Sequence, residues 1–246
     1  GGMAWPLGFV MLVPWLYTLD AQPNLARALL SAWAMSLAFT LAVFTWFGMA
    51  IGEYTQAGAA TGLSVLLLGA PLFQPQFLSF ALARFLAMRR YGKFVGALAG
   101  AAAWVATEWL LPKLLGDTLG HGLYPSPVLR QAADLGGAAG LSLLLLLANE
   151  GLASALTRRA DGIRAIARPL VMAAFAPLLL TGYGLFALAN LPAPSGKPLR
   201  IGLIQANIVD YERQRQTHGT YEATRKVLDT HFAMSYDAVV RQRADA

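Results

Sequence analysis

Long apolar runs separated by short polar links make up the chain as far as Leu191. A bilayer core about 30 Å thick is crossed by roughly 20 helical residues at ~1.5 Å each. By that measure the pattern predicts about six membrane spans. They are Trp5–Thr18, Leu29–Ile51, Gly62–Met88, Phe94–Leu111, Gly136–Leu156 and Pro169–Leu191. The first is short, so it is either a span whose start is trimmed or a shallow re-entrant segment.

Prolines and small residues modify three of these spans. Pro71 and Pro75 interrupt the third, and Pro177 is expected to kink the sixth, since proline cannot donate a helical hydrogen bond. The fourth span opens with the run GALAGAAA, which suits close contact with another helix.

The apolar pattern ends in a stretch rich in proline and glycine, residues 192–199, which we interpret as a linker. Beyond it, Arg200–Ile208 reads as a short buried strand and Asp210–Gly219 as a polar loop. Thr220–Arg243 then reads as an amphipathic helix, with apolar residues at helical spacing. These apolar positions are Val227, Leu228, Phe232, Tyr236 and Val239.

The predicted fold class is therefore mainly α. A polytopic transmembrane helix bundle, residues 1–191, is followed by residues 200–246. The latter read as the first strand and helix of an α/β domain that is incomplete within this sequence.

Composition agrees with a membrane protein. Hydrophobic residues make up 57% of the chain and charged residues 13%, where a soluble domain has about 25% charged residues. There is no cysteine, so disulfides, thiolate metal sites and a cysteine nucleophile are excluded within these residues. The three histidines are widely spaced and form no ligand motif, so we predict neither a metal nor a cofactor.

The net charge of +6 is better explained by membrane topology than by nucleic-acid binding. Two links separated by two spans are strongly basic and must share a side, which the charge assigns to the cytoplasm. Their basic residues are Arg84, Arg89, Arg90 and Lys93 in one, and Arg158, Arg159, Arg164 and Arg168 in the other. The link from Asp20 to Arg27 falls on the same side. Residues 192–246 are then predicted to lie outside the cytoplasm.

Polar side chains within apolar spans are the candidate site residues, because burial at membrane depth is costly. Glu108 could contact a lipid headgroup or substrate, or could simply be paired within the bundle or wetted at the interface. Gln74 and Gln76 flank Pro75, where they could serve a lateral cleft for an acyl chain or merely repair the kink.

Further candidates lie near span ends and in loops. Trp46, with Trp104 and Trp109, is interpreted as an interfacial anchor rather than part of a recognition set. His121 and Tyr124 could line a substrate entrance in the loop from Pro112 to Gln131, or belong to a plain loop. Gln205 and Asn207 could point into a site at the end of the predicted strand, or satisfy neighbouring backbone.

Several stretches, taken in order, resemble the apolipoprotein N-acyltransferases of bacterial inner membranes. They are WPLGFVMLVPWL, Thr45-Trp46-Phe47, TEWL at Thr107–Leu110, LGHGLYPSP followed by QAADLGGAAGLSLLLLLAN, and RIGLIQANI after the last span. The resemblance covers nearly the whole chain. It implies that residues 200–246 open a nitrilase-like domain on the outer face of the inner membrane.

The resemblance also implies a reaction. An acyl chain passes from a phospholipid to a cysteine thiol and then to the N-terminal amine of a diacylated lipoprotein, with Glu as base and Lys at the oxyanion. None of these three catalytic positions has a counterpart here, so these residues alone are not expected to catalyse acyl transfer. Leu111 and Tyr211 stand where the family often has Arg and Trp, which leaves room for a divergent subfamily.

Other functions remain open from the sequence. The chain could be a non-catalytic membrane protein that binds lipid or a partner, or a nitrilase-fold enzyme that acylates another amine or a glycolipid. A small-molecule transporter is a further alternative, although the sequence shows no inverted repeat.

Overall fold

The computed structural model describes residues 4–111, 116–192, 196–208 and 210–245. The regular structure within these ranges is helical, which confirms the predicted mainly α fold class. The α-helices are α1 Val13–Asp20, α2 Leu25–Tyr54, α3 Ala59–Phe73, α4 Gln76–Tyr91, α5 Lys93–Leu110, α6 Ala133–Thr157, α7 Ile163–Ala189, α8 Tyr211–His218 and α9 Thr220–Tyr236. Short 3₁₀ helices are Trp5–Phe9, Leu119–Leu123, Leu129–Ala132 and Arg159–Asp161, and a π-helical turn, Asp237–Arg241, follows α9.

Four helical segments of the described chain are long and apolar enough to cross a membrane, which makes it a multi-pass membrane protein. They are Leu25–Tyr54, Ala59–Tyr91, Leu129–Thr157 and Ile163–Ala189, and they coincide with the predicted second, third, fifth and sixth spans. The predicted fourth span is α5, a helix of 18 residues that is not among these four.

Proline affects the long segments unequally. The segment Ala59–Tyr91 is broken in its middle, where α3 ends at Phe73 and Pro75 occupies the position before α4. Pro71 lies inside α3 without ending it. The helix α7 likewise continues across Pro177, so the expected kink does not interrupt it.

The predicted first span is two short helical pieces joined by irregular backbone. Asn149 of α6 fastens this junction, because its Oδ1 accepts a hydrogen bond from the Leu12 N–H at 2.9 Å. Its Nδ2 donates to the carbonyls of Gly8 at 2.9 Å and Leu145 at 2.8 Å. Irregular backbone at membrane depth is tolerated only where such partners exist. The 8 residues of α1 are too few to cross a bilayer, which fits the re-entrant alternative.

Replacing Asn149 by Leu is therefore expected to lower the free energy of unfolding by about 2 kcal/mol, because a buried N–H and a carbonyl lose their partner. Equilibrium unfolding in mixed micelles measures this. The matched control is Asn190→Leu, since Asn190 is exposed and bonds only to Phe186 of its own helix. Its expected cost is within about 0.5 kcal/mol. Equal costs for the two variants would contradict the fastening role.

The helices α4 and α5 form a closely packed antiparallel pair. A Cβ atom built on Gly96 would lie 2.7 Å from the Met88 Cβ, and one on Gly100 would lie 3.0 Å from the Arg84 Cβ. Only glycine lets the two helices approach this far, so the close contact expected of the run GALAGAAA is confirmed.

An aromatic cluster fills the core beside this pair. Phe77 and Trp104 meet edge to face with ring centroids 4.7 Å apart, and Trp15 contacts both Phe77 and Phe80 at 5.5 Å. The interpretation of Trp104 as an interfacial anchor is therefore wrong, since its side chain is 1% exposed. Its position near the end of a span did not reveal that α5 turns this face towards other helices.

The described residues group into two compact units, 1–42 with 68–191, and 43–67 with 192–246. The helices described above belong to the first unit, apart from the parts of α2 and α3 in 43–67, the helices α8 and α9 and the π-helical turn. In the second unit, α2 and α3 approach through glycines. A Cβ atom on Gly62 would lie 2.1 Å from the carbonyl oxygen of Gly48, and one on Gly52 would lie 2.3 Å from that of Gly58. Larger residues would force these backbones apart.

The rest of the second unit corrects two predictions. Arg200–Ile208 has no regular secondary structure, and Leu203 is 91% exposed rather than buried. A strand needs a neighbouring strand for its backbone hydrogen bonds, and the described residues contain none. Arg200 instead bonds to Asp245, with the Arg200 N–H donating to the carboxylate at 2.9 Å.

The predicted loop Asp210–Gly219 is also wrong, because most of it forms α8. This helix is polar all round, so it gives no apolar periodicity to recognise. It gains from an ion pair one turn apart, in which Arg215 donates to Glu212 at 2.9 Å. The hydrogen bond from Arg215 lowers the pKa of the Glu212 carboxyl.

The predicted amphipathic helix is confirmed as α9, which ends at Tyr236 and passes into the π-helical turn. Leu228 and Phe232 of α9 and Val239 of the turn are exposed. Val227 is half-buried and lines a cavity together with Ala206 and Ile208.

Candidate functional site

A buried charged cluster joins three helices of the first unit. Arg84 of α4 is 4% exposed and forms a two-point salt bridge with Glu150 of α6, through Nε to Oε1 and through Nη2 to Oε2 at 3.0 Å. The same Nη2 lies 2.6 Å from the Asp20 Oδ1 at the end of α1. Two carboxylates therefore neutralise one guanidinium. Sequence reasoning missed this cluster, since it took Arg84 for a loop cation and did not single out Glu150.

A cavity of about 460 Å³ opens beside this cluster. Charged side chains from five helices or their ends line it: Asp20, Arg84, Lys93, Glu150, Arg158 and Arg168. Lys93 pairs with Asp20 at 3.1 Å. Residues of both basic links thus meet at one end of the bundle, as the topology argument requires. The link at Asp20–Arg27 lies there too, because Arg89 donates to the Pro23 carbonyl at 2.7 Å.

Gln74 and Gln76 form a second buried polar group, at the break between α3 and α4. Both are at most 2% exposed, and the Gln76 Nε2 donates to the Gln74 Oε1. The Gln74 Nε2 in turn lies 3.4 Å from the Asp117 Oδ2. The Gln76 Oε1 has no hydrogen-bond partner among the described residues. Among the described residues, these amides bond to each other and to Asp117 rather than to the backbone at the break.

Hydroxyl groups extend this polar region along α4 and α5. Thr107 donates to the Ser79 Oγ at 2.6 Å, or to the Ala103 carbonyl at the same distance. Glu108 is the next residue on α5 and is half-buried. Glu108 is therefore one residue further than Thr107 from the start of α5, where Lys93 lines the cavity beside Arg84.

The loop that carries His121 and Tyr124 is docked on the bundle rather than free. The Gly120 N–H donates to the Ser142 Oγ of α6 at 2.8 Å. The His121 Nδ1 accepts a hydrogen bond from the Thr118 N–H at 3.2 Å, so this ring caps a short helix. Tyr124 is exposed, and the Arg130 guanidinium lies 5.2 Å from its ring centroid. The structure thus gives His121 a local structural role.

The remaining candidates belong to the second unit. Trp46 is 60% exposed on α2 and contacts Phe47 edge to face at 5.6 Å, which suits a side chain that meets lipid. Asn207 lines a shallow cavity of about 220 Å³ beside α9 and has a left-handed backbone, with φ of 45°. Gln205 is exposed and does not line that cavity.

The eight predicted site residues are divided between the two units: Trp46, Gln205 and Asn207 belong to the second, and the other five belong to the first. Within the first unit, Gln74 contacts Gln76, and the Tyr124 N–H donates to the His121 carbonyl at 3.0 Å. Among the described residues, no group of three His, Asp or Glu side chains is placed to hold a metal ion.

Comparison with known proteins covers most of the chain. Residues 3–150 match the family model described as apolipoprotein N-acyltransferase N-terminal domain. A putative apolipoprotein N-acyltransferase of Bordetella parapertussis is 30% identical over 224 residues, which are 83% of this chain and 40% of that protein. An apolipoprotein N-acyltransferase of Allorhizobium ampelinum is 29% identical over 211 residues, 81% of this chain and 38% of that protein. No solved structure matches the chain.

Proposed function

Because the chain belongs to the apolipoprotein N-acyltransferase family, we propose that it forms the membrane-embedded part of an enzyme that moves an acyl chain from a phospholipid to the N-terminal amine of a diacylated lipoprotein. The observation that carries this is the family match over residues 3–150, which hold α1 to most of α6. The chain spans about 40% of the length of the curated relatives it matches.

The proposed reaction passes through a thioester, and the 246 residues contain no cysteine. The general base, the oxyanion cation and the thiol are likewise assigned to none of these residues. We therefore assign to this part of the protein the binding and delivery of the lipid rather than the transfer of the acyl group.

Gln74 and Gln76 are our proposed contacts for the polar end of the acyl donor. Their burial at the break between α3 and α4, and the Gln76 Oε1 without a partner, support this. An acceptor of this kind can take a hydrogen bond from the hydroxyl or amine of a lipid headgroup. The cleft at a broken helix would give the acyl chain room beside it.

We further propose that the end of the bundle that carries the two basic links faces the cytoplasm of a bacterial inner membrane. Residues 192–246 would then lie on the outer face. A reporter fused after Arg200 is expected to be active only outside the cytoplasm.

The function is tested by expressing the reading frame that contains these codons, with its flanking sequence, in cells depleted of their own N-acyltransferase. Mass spectrometry of a lipoprotein's N-terminal peptide is expected to show one added acyl chain. The 246 residues alone are expected to add none. If the longer frame also adds none while it binds phospholipid, the non-catalytic lipid-binding alternative holds instead.

When the protein from the longer frame is purified and assayed kinetically, Gln76→Leu is expected to lower kcat/KM about tenfold, because one hydrogen bond to the donor is worth about 1.4 kcal/mol. Gln131→Leu is the matched control, since the one side-chain hydrogen bond of Gln131 within the described residues goes to the Pro127 carbonyl four residues earlier. An unchanged rate in Gln76→Leu would mean that the amide pair does not contact the donor.

A further inference from the structure

The cavity beside Arg84 carries more positive charge than its own carboxylates neutralise. Glu150 and Asp20 pair with Arg84, and Asp20 also pairs with Lys93. Arg158 and Arg168 line the same cavity, and neither makes a salt bridge within the described ranges. Two guanidinium groups are thus left to face an anion.

The other walls of the cavity are apolar and lie next to the lipid-facing surface. Phe94, Ala97 and Met172 line it, and Phe94 is 65% exposed, so the cavity continues onto the outside of α5. Val171, beside Met172 on α7, is likewise exposed. A site that combines basic groups with an apolar rim suits a molecule that is anionic at one end and apolar along its length.

We propose that this cavity binds the phosphate group of an anionic phospholipid from the leaflet at that end of the bundle. Arg158 and Arg168 bind the phosphate oxygens, while the ion pairs of Arg84 hold α1, α4 and α6 in place around it. The acyl chains lie along the exposed apolar residues of α5 and α7. Basic pockets between membrane helices commonly hold lipid headgroups in this way.

This lipid is a resident ligand and is distinct from the proposed acyl donor. The cavity is lined by Arg84 in the middle of α4 and by Lys93 just after α4 ends, whereas Gln74 precedes α4 and Gln76 begins it. Its occupation needs no acyl transfer, so a binding assay tests it whether or not the proposed function holds.

The test is native mass spectrometry of the purified chain in detergent, titrated with phosphatidylglycerol or with the zwitterionic phosphatidylcholine. The double variant Arg158→Gln, Arg168→Gln is expected to bind phosphatidylglycerol about thirtyfold more weakly, since each basic group near an anionic lipid contributes about a factor of five. Phosphatidylcholine is expected to bind the unsubstituted chain more weakly than phosphatidylglycerol does. Its affinity is also expected to fall less in the double variant.

The matched control is Arg159→Gln, Arg164→Gln. It removes the same charge from the same link at two exposed residues that do not line the cavity. Its affinity for phosphatidylglycerol is expected to fall less than threefold. Equal losses in the two double variants would show general attraction to the link and would overturn the site, as would no loss in either.

Inorganic phosphate distinguishes the lipid from a free anion. Millimolar phosphate is expected to leave phosphatidylglycerol binding unchanged, because the apolar rim contributes only when acyl chains are present. Displacement of the lipid by phosphate at that concentration would make this a site for a soluble phosphate and would overturn the lipid assignment. Thermal unfolding of both double variants is the control that checks whether each remains folded.

Discussion

Replacing Arg84 by Leu is expected to lower the free energy of unfolding by about 4 kcal/mol. The loss is large because Glu150 keeps a buried charge whose only salt bridge in the described chain is to Arg84. Removing both partners in Arg84→Leu, Glu150→Leu is expected to recover at least half of it, since no unpaired charge then remains at this pair. Equilibrium unfolding in mixed micelles measures the free energy of unfolding of the unsubstituted protein, of the single variant and of the double variant.

Arg90→Leu is the matched control for Arg84→Leu. Arg90 lies on the same helix but is exposed, and its guanidinium contacts only the Tyr91 ring, at 5.4 Å. Its cost is expected to stay within about 0.5 kcal/mol. If Arg84→Leu costs no more than Arg90→Leu, the buried ion pair does not hold α4 against α6.

Replacing Gly184 by Leu is expected to destabilise the bundle by about 3 kcal/mol, at the upper end of what overpacking costs. A Cβ atom on Gly184 would lie 2.0 Å from the carbonyl oxygen of Val128. A backbone atom cannot rotate away as a side chain can, so α7 must shift from the loop that precedes α6. The shift in thermal midpoint of the purified chain measures the effect.

Gly182→Leu provides the control on the same helix with the same substitution. A Cβ atom on Gly182 would meet nothing within 4 Å. The expected change is near zero or slightly stabilising, because leucine favours a helix more than glycine does. Similar destabilisation by both substitutions would point to helix propensity or lipid contact rather than to the approach of Val128.

Length and hydropathy were enough to place most of the bundle. A run such as Leu29–Ile51 has few polar residues over the width of a bilayer, and the observed α2 encloses it. The close contact of α5 with α4 at Gly96 and Gly100 could also be predicted from the sequence, because small residues four apart leave one face of a helix flat.

The charged cluster was harder to predict because it depends on pairing across the chain. Arg84 and Glu150 are 66 residues apart, and the sequence around one residue does not indicate the other as its partner. A signal was nevertheless present. Arg84 has apolar neighbours on both sides, in FALARFLAM, and Glu150 closely follows the apolar run LLLLLA, and a charge in such a setting is costly unless it is paired.

The two errors after Leu191 have different physical origins. A strand such as the one predicted at Arg200–Ile208 exists only through its neighbours, so a short apolar run alone cannot establish it. The helix α8 is the opposite case, since local pairs such as Glu212 with Arg215 hold it without any apolar stripe.

The bond between Leu12 and Asn149 also bears on biogenesis. The two residues are 137 positions apart, so the ribosome makes the first long before the second is available. During synthesis the backbone near Gly8 and Leu12 has no partner in the hydrocarbon, and water or the insertion machinery must supply one. We therefore expect the segment around Gly8 and Leu12 to reach its final place late, after α6 has entered the membrane.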